Sequence, residues 1–223
     1  MKDSKDSVSA MREPATFDEA FRTQLQELFV WRRDVRRFQT TPLPAGTLER
    51  LIDVACLAPS VGLSQPWRFV IVDDEGRRAS VINEFKSCNA EALQSYSGER
   101  AAHYAKLKLA GLAEAPSQLA VFADRTTDVG HGLGRRTMPE MIEYSVVSSI
   151  CTMWLAARAE GIGMGWVSIL DPARVREILD VPADWHFIGY FCLGYPQSQS
   201  SQPELECAGW ESRRPSQDCV LRR

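Results

Sequence analysis

The run "PEMIEYSVVSSICTMWLAARAEG", residues 139–161, limits what this chain can become more than any other stretch. A proline followed by an acid opens it and Gly161 closes it, which are helix start and stop signals. Between them apolar residues fall on more than one face. Such a helix is buried, either in a core or against a second copy. The segments around it supply the rest of the framework. "TFDEAFRTQLQELFVWRRD" has Thr16 and Glu19 at capping-box spacing and sets Phe21, Leu25, Leu28 and Phe29 on one face of a helix. "PAGTLERLIDVACLAPS" repeats that pattern and stops near Pro59. Further helices are expected over residues 75 to about 86, over 99–112 and over "PARVREILD". "WRFVIVDD", "SQLAVFAD", "IGMGWVSIL" and "WHFIGYFCLGYP" have the apolar density of buried strands. Residues 125–139, rich in glycine and arginine, read as a long loop. With no repeat and no interdomain linker, this mixture points to an α+β domain over residues 16–223, preceded by a loosely ordered polar segment, 1–15. The polar tail from Gln197 is expected to wrap a neighbour or stay loose.

Bulk properties exclude several function classes. A formal net charge of −3 leaves no general basic face for nucleic acid. The amino-terminal stretch lacks the apolar core of a signal peptide, and no run approaches the roughly 20 apolar residues of a membrane span. The six cysteines form no CxxC pair and the three histidines stand far apart, so no zinc site is expected. Cys56, Cys151 and Cys192 lie in apolar runs and read as small core residues, in keeping with a reduced, cytoplasmic setting.

Against that acidic background "WRRDVRRF", residues 31–38, packs four arginines around Asp34. Taken alone, such a stretch is more often a solvated charge run. The glycine triplets at 130/132/134 and 161/163/165 miss the spacing of a dinucleotide fingerprint, and no P-loop or GxSxG motif occurs. In "LAPSVGLSQPW", Ser60, Gly62 and Ser64 surround Gln65. Small residues there would let a flat ligand approach the backbone, although an ordinary helix-to-strand loop reads the same way.

Four motifs in order are more specific. "RRDVRRF", "APSVGLSQPWRFVIV", the long helix followed by "GIGMGWVSIL", and "FIGYFCLGYP" resemble the FMN-dependent nitroreductase superfamily over residues 28–196. Members typically carry "RRSxRxF", "APSxxNxQPW" and "GxGxxW". Here Asp34 stands where most relatives have serine. That departure, with "VSILDP" and the long helix, resembles the BluB branch, the 5,6-dimethylbenzimidazole synthases. The resemblance implies a mostly antiparallel sheet of four to five strands flanked by helices, with the long helix at a homodimer interface. It implies that Arg32, Arg33, Asp34, Val35 and Arg36 grip FMN, that Ser60 is a further contact, and that Lys106 and Arg213 are additional ones. Val167, Ser168 and Ile169 would face flavin N5. The implied reaction uses O2 to break reduced FMN into 5,6-dimethylbenzimidazole, the lower ligand of vitamin B12, and D-erythrose 4-phosphate. A separate flavin reductase would supply the reduced FMN. Asp34 is the expected base and Ser168 the expected hydroxyl donor at the reacting ring. Asp34 could instead merely pair with Arg32 or Arg36. An FMN-dependent NAD(P)H nitro- or quinone reductase and a non-catalytic flavin-binding protein are the alternative functions.

Overall fold

A computed structural model describes residues 14–223. The expectation for residues 1–15 therefore falls almost wholly outside the described residues. In chain order the elements are α1 (Glu19–Trp31), α2 (Thr47–Ala55), β1 (Trp67–Ile71), α3 (Glu75–Gln94), α4 (Gly98–Tyr104), β2 (Ser117–Asp124), α5 (Met141–Ala159), β3 (Gly163–Val167), α6 (Pro172–Leu179), β4 (Trp185–Gly194) and α7 (Glu204–Cys207). The four strands form one antiparallel sheet in the order β1-β2-β4-β3. Central β2 and β4 are apolar along nearly their whole length because both faces of the sheet are covered. On one face α5 lays Ile142, Val146, Ile150, Met153 and Ala157 over Leu119, Val121 and Phe191. On the other face Val81 of α3 and Val175 and Leu179 of α6 pack over Ala120, Phe122 and Tyr190. Among the described residues no helix is long and apolar enough to cross a membrane.

Within one copy α5 is not buried all round. Tyr144, 53% exposed, and Cys151 lie open on the face away from the sheet. Cys56 is exposed as well, so of the three cysteines read as core residues only Cys192 is one. Burial pushes the Cys192 thiol up to about 12, which keeps it protonated and inert.

Other departures have local causes. The cap of α1 is Asp18, not Thr16, because its carboxylate accepts the Phe21 amide at 2.8 Å. Helix α3 runs on to Gln94, since nothing in its sequence breaks it before Ser95. Helix α4 stops at Tyr104 instead of Leu112, because the chain beyond it leaves the helix and packs against residues 36–38. There Arg36 Nη1 donates to the Lys108 carbonyl at 3.1 Å, and Gly111 lies so close to the Phe38 ring that a Cβ would overlap it. As far as Trp210 the tail is packed on its own chain. Trp210 joins Tyr96, His103 and Tyr104 in an aromatic cluster with Arg100 over its ring.

Strand β3 is an edge strand, and its outer side is covered by the arginine-rich segment. The Val35 amide donates to the Met164 carbonyl at 3.0 Å, and Asp34 and Met164 form an isolated parallel bridge. Gly163 and Gly165 permit this approach. A Cβ on Gly163 would crowd the Val35 side chain, and one on Gly165 would overlap the Val35 carbonyl oxygen. Gly165→Ala is therefore expected to destabilise the fold by about 1–3 kcal/mol while the sheet persists. Thermal melts with far-UV circular dichroism check this. An unchanged Tm would mean that the segment is not seated on β3 in solution.

Candidate functional site

The site is built where the chain leaves α1. Arg32 is the C-cap of that helix and already extended, so the chain reaches the outer edge of β3 at Asp34 and Val35 and goes on to pair residues 37–39 with residues 195–197 beyond β4. Trp154 of α5 fixes the entry, its indole N–H donating to the Arg33 carbonyl at 3.1 Å. The Arg32 guanidinium lies over the same indole, 5.1 Å from the ring centre. Next, Asp34 turns its carboxylate toward the strand. Oδ1 accepts the Trp166 amide at 2.8 Å and Oδ2 accepts Arg36 Nε at 2.9 Å. A backbone carbonyl would normally take the Trp166 amide in a sheet, and here a side chain does so.

The arginines divide into engaged and available groups. Arg36, 12% exposed at its side chain, spends Nε on Asp34 and Nη1 on the Lys108 carbonyl. Arg37 pairs with Glu204 of α7 at 3.4 Å. The Arg32 guanidinium donates no hydrogen bond among the described residues. Arg33 bonds the Val30 carbonyl through Nη2, but its Nε is buried without a partner. Burial and the nearby charges of Arg213 and Arg32 hold the Arg33 guanidinium below its ordinary pKa, with Glu206 acting in the opposite direction. Three cations thus gather where the chain supplies too little negative charge. Arg33 lines an open cleft of about 210 Å3 between this segment and the tail, with Asp34, Arg36 and Arg37 beside it and Ser200, Glu204 and Cys207 opposite. Such a cleft suits a small dianion, because guanidinium forks make paired, charge-assisted bonds to phosphate.

Val167 ends β3 and is buried, Ser168 is exposed just beyond the strand, and Ile169 is half-buried. The Ser168 hydroxyl has no hydrogen-bond partner among the described residues. It follows Trp166, which anchors Asp34, by two residues, about 7 Å of extended chain. Asp34 and Ser168 therefore share one edge of the sheet.

Other expected contacts lie elsewhere. Ser60 Oγ accepts the Gln65 amide at 3.1 Å, and the Val61 amide next to it donates to Ser145 Oγ at 3.0 Å near the start of α5. Ser145 and Trp154 are nine helical residues apart, about 13–14 Å along the axis. One chain does not bring Ser60 to the arginines. Lys106 is exposed just past α4, outside the cleft, and the neighbouring Lys108 reaches Arg36 through its carbonyl instead. Arg213 does come close to Arg33, carried there by the anchored tail. The pattern reading missed Gly163, Gly165, the Trp166 amide, Trp154 and the α7 wall. Glycines two apart in a strand were a usable signal, since they bare one face of it.

Residues 29–195 match the family described as "Nitroreductase family". A protein of Rhodospirillum rubrum named 5,6-dimethylbenzimidazole synthase is 57% identical over 205 residues, covering 92% of this chain and 97% of that protein. A protein of the same name from Rhodobacter capsulatus is 44% identical over 201 residues, covering 90% and 97%. Among solved structures, iodotyrosine deiodinase bound to FMN and 3-iodo-L-tyrosine superimposes with a TM-score of 0.69 at 22% identity, over 89% of this chain and 97% of that one. That likeness is one of fold. The matched residues run from the end of α1, through the arginine-rich segment and the whole sheet, to the end of β4, and the chain belongs to the nitroreductase family.

Proposed function

We propose that the protein is a 5,6-dimethylbenzimidazole synthase, which uses O2 to break reduced FMN into 5,6-dimethylbenzimidazole and D-erythrose 4-phosphate. The observation that carries the reading is the fixed Asp34 carboxylate in an arginine-lined cleft, on the same strand edge as an unpartnered Ser168 hydroxyl. Two relatives of that name, each matched over at least 90% of this chain, support it. Reduced FMN, when bound, supplies the electrons for O2 and the carbon skeleton of the product.

The residues present fit that group. Arg32, the unsatisfied Arg33 and Arg213 offer the donors and positive charge that a phosphate monoester needs. The backbone at Val35 completes the rim of the cleft. Asp34 keeps unused acceptor capacity, since a carboxylate has about four lone-pair sites and two are taken. It serves as the base for the ribityl carbon attached to N10. Ser168 would offer its hydroxyl to flavin N5, with Val167 and Ile169 supplying the backbone on either side. The separation of Ser60 from the arginines along α5, and the open Tyr144–Cys151 face, support a homodimer in which Ser60 of one copy completes the site of the other. The two apolar clusters share one sheet, which supports reading residues 16–223 as a single FMN-binding domain. A separate flavin reductase supplies the reduced FMN, and the six free thiols suit a cytoplasmic setting.

Purified protein incubated with reduced FMN in air tests the function. Release of dimethylbenzimidazole supports it, whereas steady NAD(P)H consumption with FMN left intact would identify a nitro- or quinone reductase. Arg32→Ala is expected to lower FMN affinity by about ten- to a hundredfold, the loss of a charge-assisted bond of about 1.5–3 kcal/mol. An unchanged flavin titration would count against the phosphate assignment. Asp34→Asn keeps the size of the side chain but cannot take a proton. It is expected to bind reduced FMN, consume oxygen and return intact oxidised FMN, and near-normal product would remove Asp34 from the mechanism. Ser168→Gly should likewise oxidise FMN but lose product per flavin oxidised, as chromatography of the reaction mixture will tell.

A further inference from the structure

We infer that Arg36 is a positioning residue for Asp34 and not a ligand of the flavin phosphate. The inference rests on the reading of Asp34 as the base. Of the arginines in residues 32–37, Arg36 has the most completely engaged guanidinium. Nε donates to Asp34 Oδ2 at 2.9 Å and Nη1 to the Lys108 carbonyl at 3.1 Å. Its side chain is 12% exposed, against 34% for Asp34, so it lies beneath the carboxylate that it holds.

Both ends of this clamp are anchored in the sheet. On the Asp34 side the second oxygen is held by the Trp166 amide of β3. On the other side the segment that carries the Lys108 carbonyl is tied to β2. Gln118, fully buried, donates through Nε2 to the Leu112 carbonyl at 2.8 Å, and its own Oε1 accepts the Tyr190 hydroxyl of β4 at 2.7 Å. Gly111, between Lys108 and Leu112, packs on the Phe38 ring, which is itself wholly buried. Arg36 thus spans two fixed points, the edge of β3 and the segment that follows α4. A planar fork suits that span, because its donors diverge at set angles and a single ammonium cannot serve both partners in the same way. Without the clamp, the Asp34 side chain would be free to turn about its own bonds into the cleft. A base displaced by about 1 Å can lose on the order of a hundredfold in rate.

Three measurements test this. In FMN-free protein, hydrogen exchange at the Trp166 amide should quicken by about tenfold or more in Arg36→Gln, because the carboxylate that accepts it is no longer held. The Val35 amide, bonded to a backbone carbonyl, should change little. In titrations with reduced FMN the variant should bind within about threefold of wild type, while dimethylbenzimidazole per flavin oxidised falls by about tenfold or more. Arg36→Lys, which keeps the charge but not the fork, should bind flavin normally and stay impaired in product yield. It also serves if the glutamine variant fails to fold. Unchanged exchange at Trp166, full rescue by lysine, or a tenfold loss of affinity with an unchanged product ratio would each overturn the inference. If Asp34→Asn alone made product normally, the reading of Asp34 as the base would fail. Exchange at Trp166 in Arg36→Gln would then still decide whether Arg36 holds the carboxylate.

Discussion

An edge strand must do something with its outward backbone groups, and in this protein that need organises the site. Strand β3 lies at the end of the sheet with one side unpaired. The segment after α1 covers it with one backbone bond from Val35 and one side-chain bond to Asp34. Because the acceptor for the Trp166 amide is a carboxylate, closing the sheet also plants a negative charge at a defined point. The requirement for two glycines in β3 follows from the same closeness. Arginines come with the segment since they flank the acid in sequence. Fold and candidate chemistry are thus set by one contact between residues about 130 positions apart in the chain.

Much of the framework was legible because it rests on local pattern. The apolar runs of β2 and β4 and the long stretch of α5 can be read without knowing their neighbours. What escaped depended on distant partners. Nothing in "HYAKLKLAGL" announces that the helix ends at Tyr104, because the cause is Arg36 and Phe38, some seventy positions earlier. The cap of α1 was placed two residues early because the spacing of Thr16 and Glu19 fits a box, whereas the aspartate beside the helix makes the bond. Cys56 and Cys151 sit in apolar runs and yet are exposed, since helix periodicity turns them away from the sheet.

For the site, the sequence located the arginine-rich segment and the end of β3 but not how the members divide their labour. Four arginines in one octapeptide look equivalent on paper. In the fold Arg37 faces Glu204, Arg36 is half-buried and bonded to Asp34, and Arg32 and Arg33 remain with spare donors. The tail was read as wrapping a neighbour or staying loose because its polar composition hides Trp210, which together with the Ala208 carbonyl pins it to α4. That anchor brings Glu206 and Arg213 to the electrostatics of Arg33. Such roles follow from packing order and are invisible to composition.

The stacking of Arg32 on Trp154 has an optical consequence. The indole of Trp154 carries a cation over its face, donates its N–H to the Arg33 carbonyl, and lies 6.4 Å from the ring of Trp166. An anion that draws Arg32 off that face changes the electric field at the excited indole and with it the colour and yield of emission. The corner proposed to hold the anion therefore contains its own fluorophore. Subtracting the spectrum of a Trp154→Phe protein isolates that signal from the other five tryptophans, so that filling of the cleft becomes visible without a label.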